Sequence, residues 1–272
     1  PEKAQIEAMY SRGRSQGASV VDDAALQRQF DETASAYGGQ DAYAKAKADR
    51  KTKLNYGQWV QVRTPNFKQW FGDWENDPAN ASKVINQYTG EPLVVYHGTR
   101  YGGFSVFDKS NSGIWFAESR DLATTYTGWT DEWYGAPDIT RYDQQDEQGV
   151  VPAFLYIKNP LAIDFRGKGA LSRGKSPADW FRGMAKSRDG VQISNVFDRG
   201  DVIGGGISEA DGEDTTFAVR SSNQIKSATG NNGNFDPEDD DIAYFGAAEV
   251  RDIKTKAIDQ LDRVLSHPGK VS

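Results

Sequence analysis

The eight residues from Leu93 to Arg100 constrain this chain most, because an apolar run of β-type residues there leads straight into a histidine and a glycine. Leu93, Val94, Val95 and Tyr96 suit a pleated, half-buried surface, so a strand is expected that ends at His97 and Gly98. A second run follows, Gly113, Ile114, Trp115, Phe116 and Ala117, and then Tyr126. Gly98 has no side chain to keep a ligand away from the backbone, and its N–H and C=O are suited to a carboxamide. Trp115 and Tyr126 add aromatic faces, for which a flat cationic ring is a favoured guest. Taken singly, a histidine after a strand is commonly structural and an aromatic residue is commonly core. Together they outline a pocket for a flat, polar ligand.

The rest of the composition bounds what such a pocket could serve. At 272 residues, with 37% hydrophobic and 12% aromatic residues and seven tryptophans, the chain can bury a real core in spite of a mean hydropathy of -0.70. A net charge of -7 and a pI near 5.0 argue against binding that draws its affinity from nucleic-acid phosphates. No cysteine is present, which removes disulfides, thiolate nucleophiles and cysteine zinc sites. No run approaches the roughly 20 apolar residues of a membrane span, and no signal-peptide pattern opens the sequence. The start at Pro1 rather than methionine suggests a piece of a larger polypeptide.

Organisation follows from periodicity. Residues 1–55 read as a polar helical arm, with helices expected from Asp22 to Glu32 and from Asp41 to Lys53 and an interruption at Gly38 and Gly39. Phe67, Trp70, Phe71 and Trp74 recur at helical spacing behind Thr64 and Pro65, a suitable helix start. Strands are expected at Leu93 to Tyr96, Gly113 to Phe116, Ala153 to Ile157, Leu161 to Phe165, Gln192 to Phe197, Thr216 to Arg220 and Gln224 to Ala228. They are short and separated by turn residues, with only brief helices between, among them one from Arg120 to Tyr126 capped by Ser119, so a mixed antiparallel α+β domain is expected rather than a doubly wound sheet. Val250, Ile253, Ala257, Leu261, Val264 and Leu265 mark an amphipathic helix within residues 246–272. The acidic stretch from Asp236 to Asp241 lacks the spacing of a calcium loop and reads as a solvated turn.

One competing motif needs weighing. Gly169, Gly174, Lys175 and Ser176 match a phosphate-binding loop, and the strand expected at Leu161 to Phe165 precedes them. Pro177 follows at once, and no strand ending in a magnesium-binding aspartate is evident. The stretch is therefore expected to be a basic surface loop. Asn80 to Ser82 matches a glycosylation acceptor by coincidence.

Taken together, Tyr96, His97, Gly98 and Thr99, the run from Gly113 to Ala117, and Tyr126 ten residues after Phe116 resemble the ADP-ribosyltransferase superfamily, in the branch of diphtheria toxin and the poly(ADP-ribose) polymerases. More closely, the segments 66–74, 90–97 and 223–231, with Phe235, Asp236 and Pro237, resemble the ADP-ribosyltransferase domains of phage and mobile-element polyvalent proteins. The likeness spans roughly residues 64–242. It implies an α+β fold, a split antiparallel β-sandwich with flanking helices, residues 56–245 forming the catalytic domain and NAD lying in the cleft as substrate.

The resemblance also implies roles. His97 would hold a ribose hydroxyl of the adenosine side, the main chain of Gly98 would clasp the nicotinamide amide, Thr99 would bond a ribose, and Tyr126 would stack on the nicotinamide ring. Trp115, Phe116 and Ala117 would line the pocket, with Trp115 standing where the family usually has tyrosine. The family's glutamate lies eight residues before a glutamine, and counting back from Gln224 gives Thr216, with Glu213 and Asp214 just upstream. A missing carboxylate points to transfer of a single unit, with Gln224 or a shifted Asp214 in its role; Gln224 is equally suited to a structural strand end. Neither cysteine nor metal is required for such chemistry. The expected activity is mono-ADP-ribosyl transfer from NAD to a macromolecule, protein ahead of nucleic acid. A phage-borne or toxin-type effector would act in a host or target-cell cytoplasm, delivered with a particle or secreted. A non-catalytic binding module of the same fold is the alternative.

Overall fold

The computed structural model describes residues 23–99, 104–127, 149–170, 174–198, 213–229, 231 and 233–242. Helix α1 (Asp23–Ala36) and helix α2 (Gly39–Ala48) occupy the expected arm, joined at Gly38, whose φ of 82° is one that favours glycine. Their thin apolar faces are enough to dock them, because Phe30, Ala34, Ala42 and Tyr43 pack against the buried cluster of Leu54, Trp59, Phe67, Trp70 and Phe71. Residues 1–22 and the C-terminal amphipathic helix expected within 246–272 lie outside the described residues.

Helix α3 (Tyr56–Gln61) is started by a capping box in which Asn55 and Gln58 exchange side-chain and backbone bonds. Helix α4 (Pro65–Phe71) starts where Thr64 and Pro65 suggest, with the Thr64 hydroxyl accepting from Phe67 N–H. It stops short of Trp74. Gly72 takes φ 95° and lies against Ala81, so the chain turns, and Trp74 reaches back to donate its indole N–H to Val62 O at 2.8 Å.

The strands are β1 (Val95–Gly98), β2 (Ile114–Ala117), β3 (Val150–Leu155), β4 (Pro160–Gly169), β5 (Gly190–Phe197), β6 (Asp214–Val219) and β7 (Ile225–Ser227). Between them stand the short helices α5 (Arg120–Thr124) and α6 (Pro177–Arg182), and a 3-10 turn at Ser222–Gln224. The α+β arrangement is as expected, and the strand positions agree to within a few residues. The pairing differs in one respect. Instead of two separate antiparallel sheets, the strands form one series, β4-β5-β6-β2-β1-β3-β7, and β4 runs parallel to β5 because α6 carries the chain back across between them. The weak point of the series is the β1–β2 seam, which has a single register pair, Tyr96 with Ala117.

Side chains alternate between two covered faces. Ile114, Phe116, Ala153, Leu155, Phe217 and Val219 belong to one buried cluster. On the other face, Phe154 joins the aromatic cluster of α3 and α4, Ala218 joins Val191 and Ile193, and Ala117 joins Leu122 and Ala123 of α5. Both faces are thus buried, each core phenylalanine contributing roughly 1.5–3 kcal/mol. Among the described residues no helix is long and apolar enough to cross a membrane.

The phosphate-loop pattern has a different use. Gly169 is still inside β4, and Ser176 caps α6 in a capping box with Asp179. Bonds from Ser176, and then Arg182, hold the Asp179 carboxyl down to about 2. A carboxylate therefore occupies the helix end where a phosphate would have to sit.

Candidate active site

Backbone polar groups alternate in direction along a strand, and this decides what Gly98 can do. Thr99 N–H donates to Gly149 O at 2.7 Å, on the β3 side. The main-chain groups of Thr99 and His97 therefore face β3, and those of Tyr96 and Gly98 face β2. Gly98 lies beyond the last β1–β2 pair, so its N–H and C=O are directed into the seam. On its side-chain face α5 lies directly against it: a Cβ built there would be 1.9 Å from Ala123 O and 2.9 Å from Tyr126 Cβ. Only glycine fits. Ser119 sets this placement by accepting from Leu122 N–H at 3.1 Å, and Tyr126, 39% exposed, stands at the end of the same turn. Gly98 and Tyr126 are thus neighbours, as the sequence suggests.

His97 points the other way. Its ring lies among Phe107, at 4.9 Å and 90°, and Phe116, at 5.4 Å. Its Nδ1 is 2.7 Å from Trp115 O. A carbonyl can only accept, so Nδ1 carries the proton and the neutral ring keeps Nε2 as an acceptor. Burial pushes the imidazole below its ordinary range, against the opposing pull of the Trp115 carbonyl. The ring also bridges the seam, because Trp115 belongs to β2.

Trp115 spends its indole N–H on Ser112 O at 2.8 Å and packs against Phe181 at 6.3 Å. It closes the turn that begins β2. Phe116 is a buried core residue on the His97 face, whereas Ala117 lies on the Gly98 face opposite both Tyr96 and Thr216. Thr216 is only 6% exposed and also faces Ile193 of β5, so the position that the family's glutamate would occupy holds a buried hydroxyl.

Sequence comparison decides what this arrangement belongs to: the model of the ADP-ribosyltransferase domain in polyvalent proteins matches residues 87–235, more than half of the chain. The chain belongs to that family. No curated protein and no solved structure matches it. Membership makes the chain an ADP-ribosyltransferase domain, of a class that uses NAD as its substrate.

Two further features of this ADP-ribosyltransferase domain bear on its chemistry. An open cavity of about 560 Å³ lies between the end of β2, α5, the end of β5 and the start of β6, and Glu118, Asp121, Asp198, Glu213 and Asp214 line it. Asp214 begins β6 two residues before Thr216, on the same face, and its carboxylate accepts from Ser119 N–H at 3.3 Å and Thr215 N–H at 2.6 Å. Of these residues only Glu213 and Asp214 were legible as site candidates, through their distance from Gln224. Gln224 itself is occupied elsewhere. Its Nε2 donates to Tyr156 O and Asp189 O, at 3.1 and 2.9 Å, and its Oε1 accepts from Arg220 N–H at 2.9 Å. Every hydrogen-bonding direction but one is tied to backbone, at Tyr156 after β3, at Asp189 before β5 and at Arg220 within the β6–β7 turn.

Proposed function

We propose that the domain transfers a single ADP-ribose unit from NAD to a macromolecular acceptor and releases nicotinamide. The observation that carries this reading is Gly98, whose backbone N–H and C=O open on the seam beneath Tyr126 at a position where any side chain collides. There the carboxamide takes one donor and one acceptor from Gly98, Tyr126 covers the pyridinium ring, and Ala117 forms the floor through β2, while Phe116 backs the His97 ring on the other face. The Nε2 of His97 accepts from a ribose hydroxyl, with Thr99 beside it. In the reaction the bond between the ribose C1′ and the pyridinium nitrogen breaks, its electron pair neutralises the ring, and a nucleophile of the acceptor attacks C1′ and gives up a proton. The oxocarbenium-like transition state needs a nearby negative charge and oriented hydroxyls more than a strong base.

Asp214 is the group we assign to that charge, because Thr216 cannot provide it and Asp214 shares its face of β6. The neighbouring carboxylates disfavour a phosphate backbone at the acceptor side, which supports a protein target. We further propose that the setting is a phage or mobile-element effector acting inside a host or target cell.

A second reading is favoured by Thr216 and by the indole N–H of Trp115 being turned to Ser112 O: an ADP-ribosyltransferase fold that binds a partner without turnover. Incubation with labelled NAD and a cell lysate separates the two. Release of nicotinamide with label on protein supports the transferase, and loss of both in Gly98→Val ties them to the seam. Unchanged NAD under all conditions would leave only the binding module.

A further inference from the structure

The acidic stretch expected to be a solvated turn is instead bonded along its backbone to the core. Lys226 of β7 is fully buried, and its Nζ donates to Asp239 O at 2.8 Å and Asp241 O at 3.0 Å. An ammonium is costly to bury without such partners. Burial draws its proton affinity down, and the charges of Asp239, Asp241, Asp236 and Asp240 draw it back up. One residue on, Ser227 N–H donates to Ile242 O at 2.7 Å, and Ile242 N–H donates to Ser105 O at 2.8 Å. The Ser222 hydroxyl completes the join: it donates to Asp240 O at 2.5 Å and accepts from Phe107 N–H at 3.0 Å, with the residue only 2% exposed. Phe107 is the residue whose ring stands edge-on to His97.

We propose that residues 236–242 form a strap that positions His97 through Phe107, with Ser222 and Lys226 as its positioning residues. The inference rests on the reading of His97 as a ligand to the NAD ribose, and adds to it the means by which the ring is held. Trp115 O fixes the ring's Nδ1 edge, and Phe116 and Phe107 confine its faces. Neither Ser222 nor Lys226 reaches the substrate. They hold the segment 104–107, and the bend of that segment sets where Nε2 lies. The acidic composition of the strap also has a purpose, since it offsets the charge of a lysine with no exposed surface.

The test uses the whole chain and its histidine signals, of which there are two, His97 and His267. In wild-type protein the His97 ring titrates below the ordinary histidine range. In Ser222→Ala, Phe107 is no longer tied to the strap, water reaches the ring, and the His97 titration moves up toward that range. Ser222→Thr keeps the hydroxyl and restores the wild-type value. Loss of positioning lowers kcat for NAD turnover about tenfold with little change in KM, as expected when a contact realised in the transition state is weakened, and roughly the effect of one lost hydrogen bond. Should Ser222→Ala fail to fold, Asn223→Ala takes its place, because it removes the bond from Asn223 Nδ2 to Pro237 O and loosens the same strap, at the cost also of the bond that Asn223 Oδ1 accepts from the Ser221 hydroxyl. A folded variant with an unmoved His97 titration overturns the proposal. The titration needs no turnover, so a shifted His97 in a protein that leaves NAD intact would remove the catalytic role and keep the strap.

Discussion

The aromatic cluster around α3 and α4 and the β1–β2 seam are built on opposite principles. In the cluster Phe67 touches Trp70, Phe71, Phe154 and Phe235 with ring centroids 4.9 to 5.8 Å apart, and the side chains are dry. Arg63 seals its rim, stacked 4.4 Å from the Trp59 ring and paired with Glu91 at 2.8 Å. At the seam one backbone pair joins two strands, a histidine side chain replaces part of the ladder, and a tyrosine is left half-open to solvent. The cluster carries stability and offers no chemistry. The seam gives up sheet hydrogen bonds and leaves oriented polar groups available, which is what a ligand site requires.

The comparison breaks first if stability and activity fail to separate. Phe67→Ala empties a fully buried site and should cost about 3–5 kcal/mol, seen as a lowered denaturant midpoint, while NAD turnover per folded molecule stays near wild type. His97→Ala should do the reverse. Loss of a contact realised in the transition state is worth about 2.7–4 kcal/mol, a hundredfold or more in transfer rate, with the domain still folded. Turnover close to wild type in that variant would remove His97 from the site. Asp214→Asn keeps the shape of the cavity and removes the charge, and we expect about a tenfold fall in kcat with KM nearly unchanged; an equal fall in Thr216→Ala alone would move the assignment back to that position.

A smaller effect sharpens the boundary between the two regions. Gln224 was a candidate for catalysis by its spacing alone, but its amide ties Tyr156, Asp189 and Arg220. Gln224→Ala should cost about 1–3 kcal/mol of stability and leave kcat in place. Spacing in sequence places a residue along the chain and says nothing of where its amide points. That limit explains most of what was not legible. The strand that ends at His97 and Gly98 and the Ser119-capped helix before Tyr126 were legible because both are local features. The start of α4 was legible for the same reason, in Thr64 and Pro65. Helix α6 was not legible although Ser176 and Asp179 form a capping box, because Gly174, Lys175 and Ser176 fit a phosphate-loop pattern equally well. The parallel β4–β5 pair and the strap over Lys226 depend on partners tens of residues or a whole turn away. Alternation of apolar residues cannot reveal them.

The mildest test concerns protons. His97 is buried as the neutral ring, with its affinity for a proton below the ordinary 6.5, and desolvation is the main cause. The unfolded chain therefore binds a proton at this residue over a range of pH in which the folded protein does not. The sign follows: stability is fully present above about pH 6.5, and it declines as pH falls from there through the lower folded value. His97→Gln, which keeps an amide that can bond Trp115 O and cannot titrate, should flatten that part of the stability curve measured by denaturant melts from pH 7.5 to 4.5. No such change is expected for Phe67→Leu in the aromatic cluster, which lowers the curve evenly. A pH dependence that persists unchanged in His97→Gln would mean that the seam is not the dry, neutral environment on which its ability to accept a ribose hydroxyl depends.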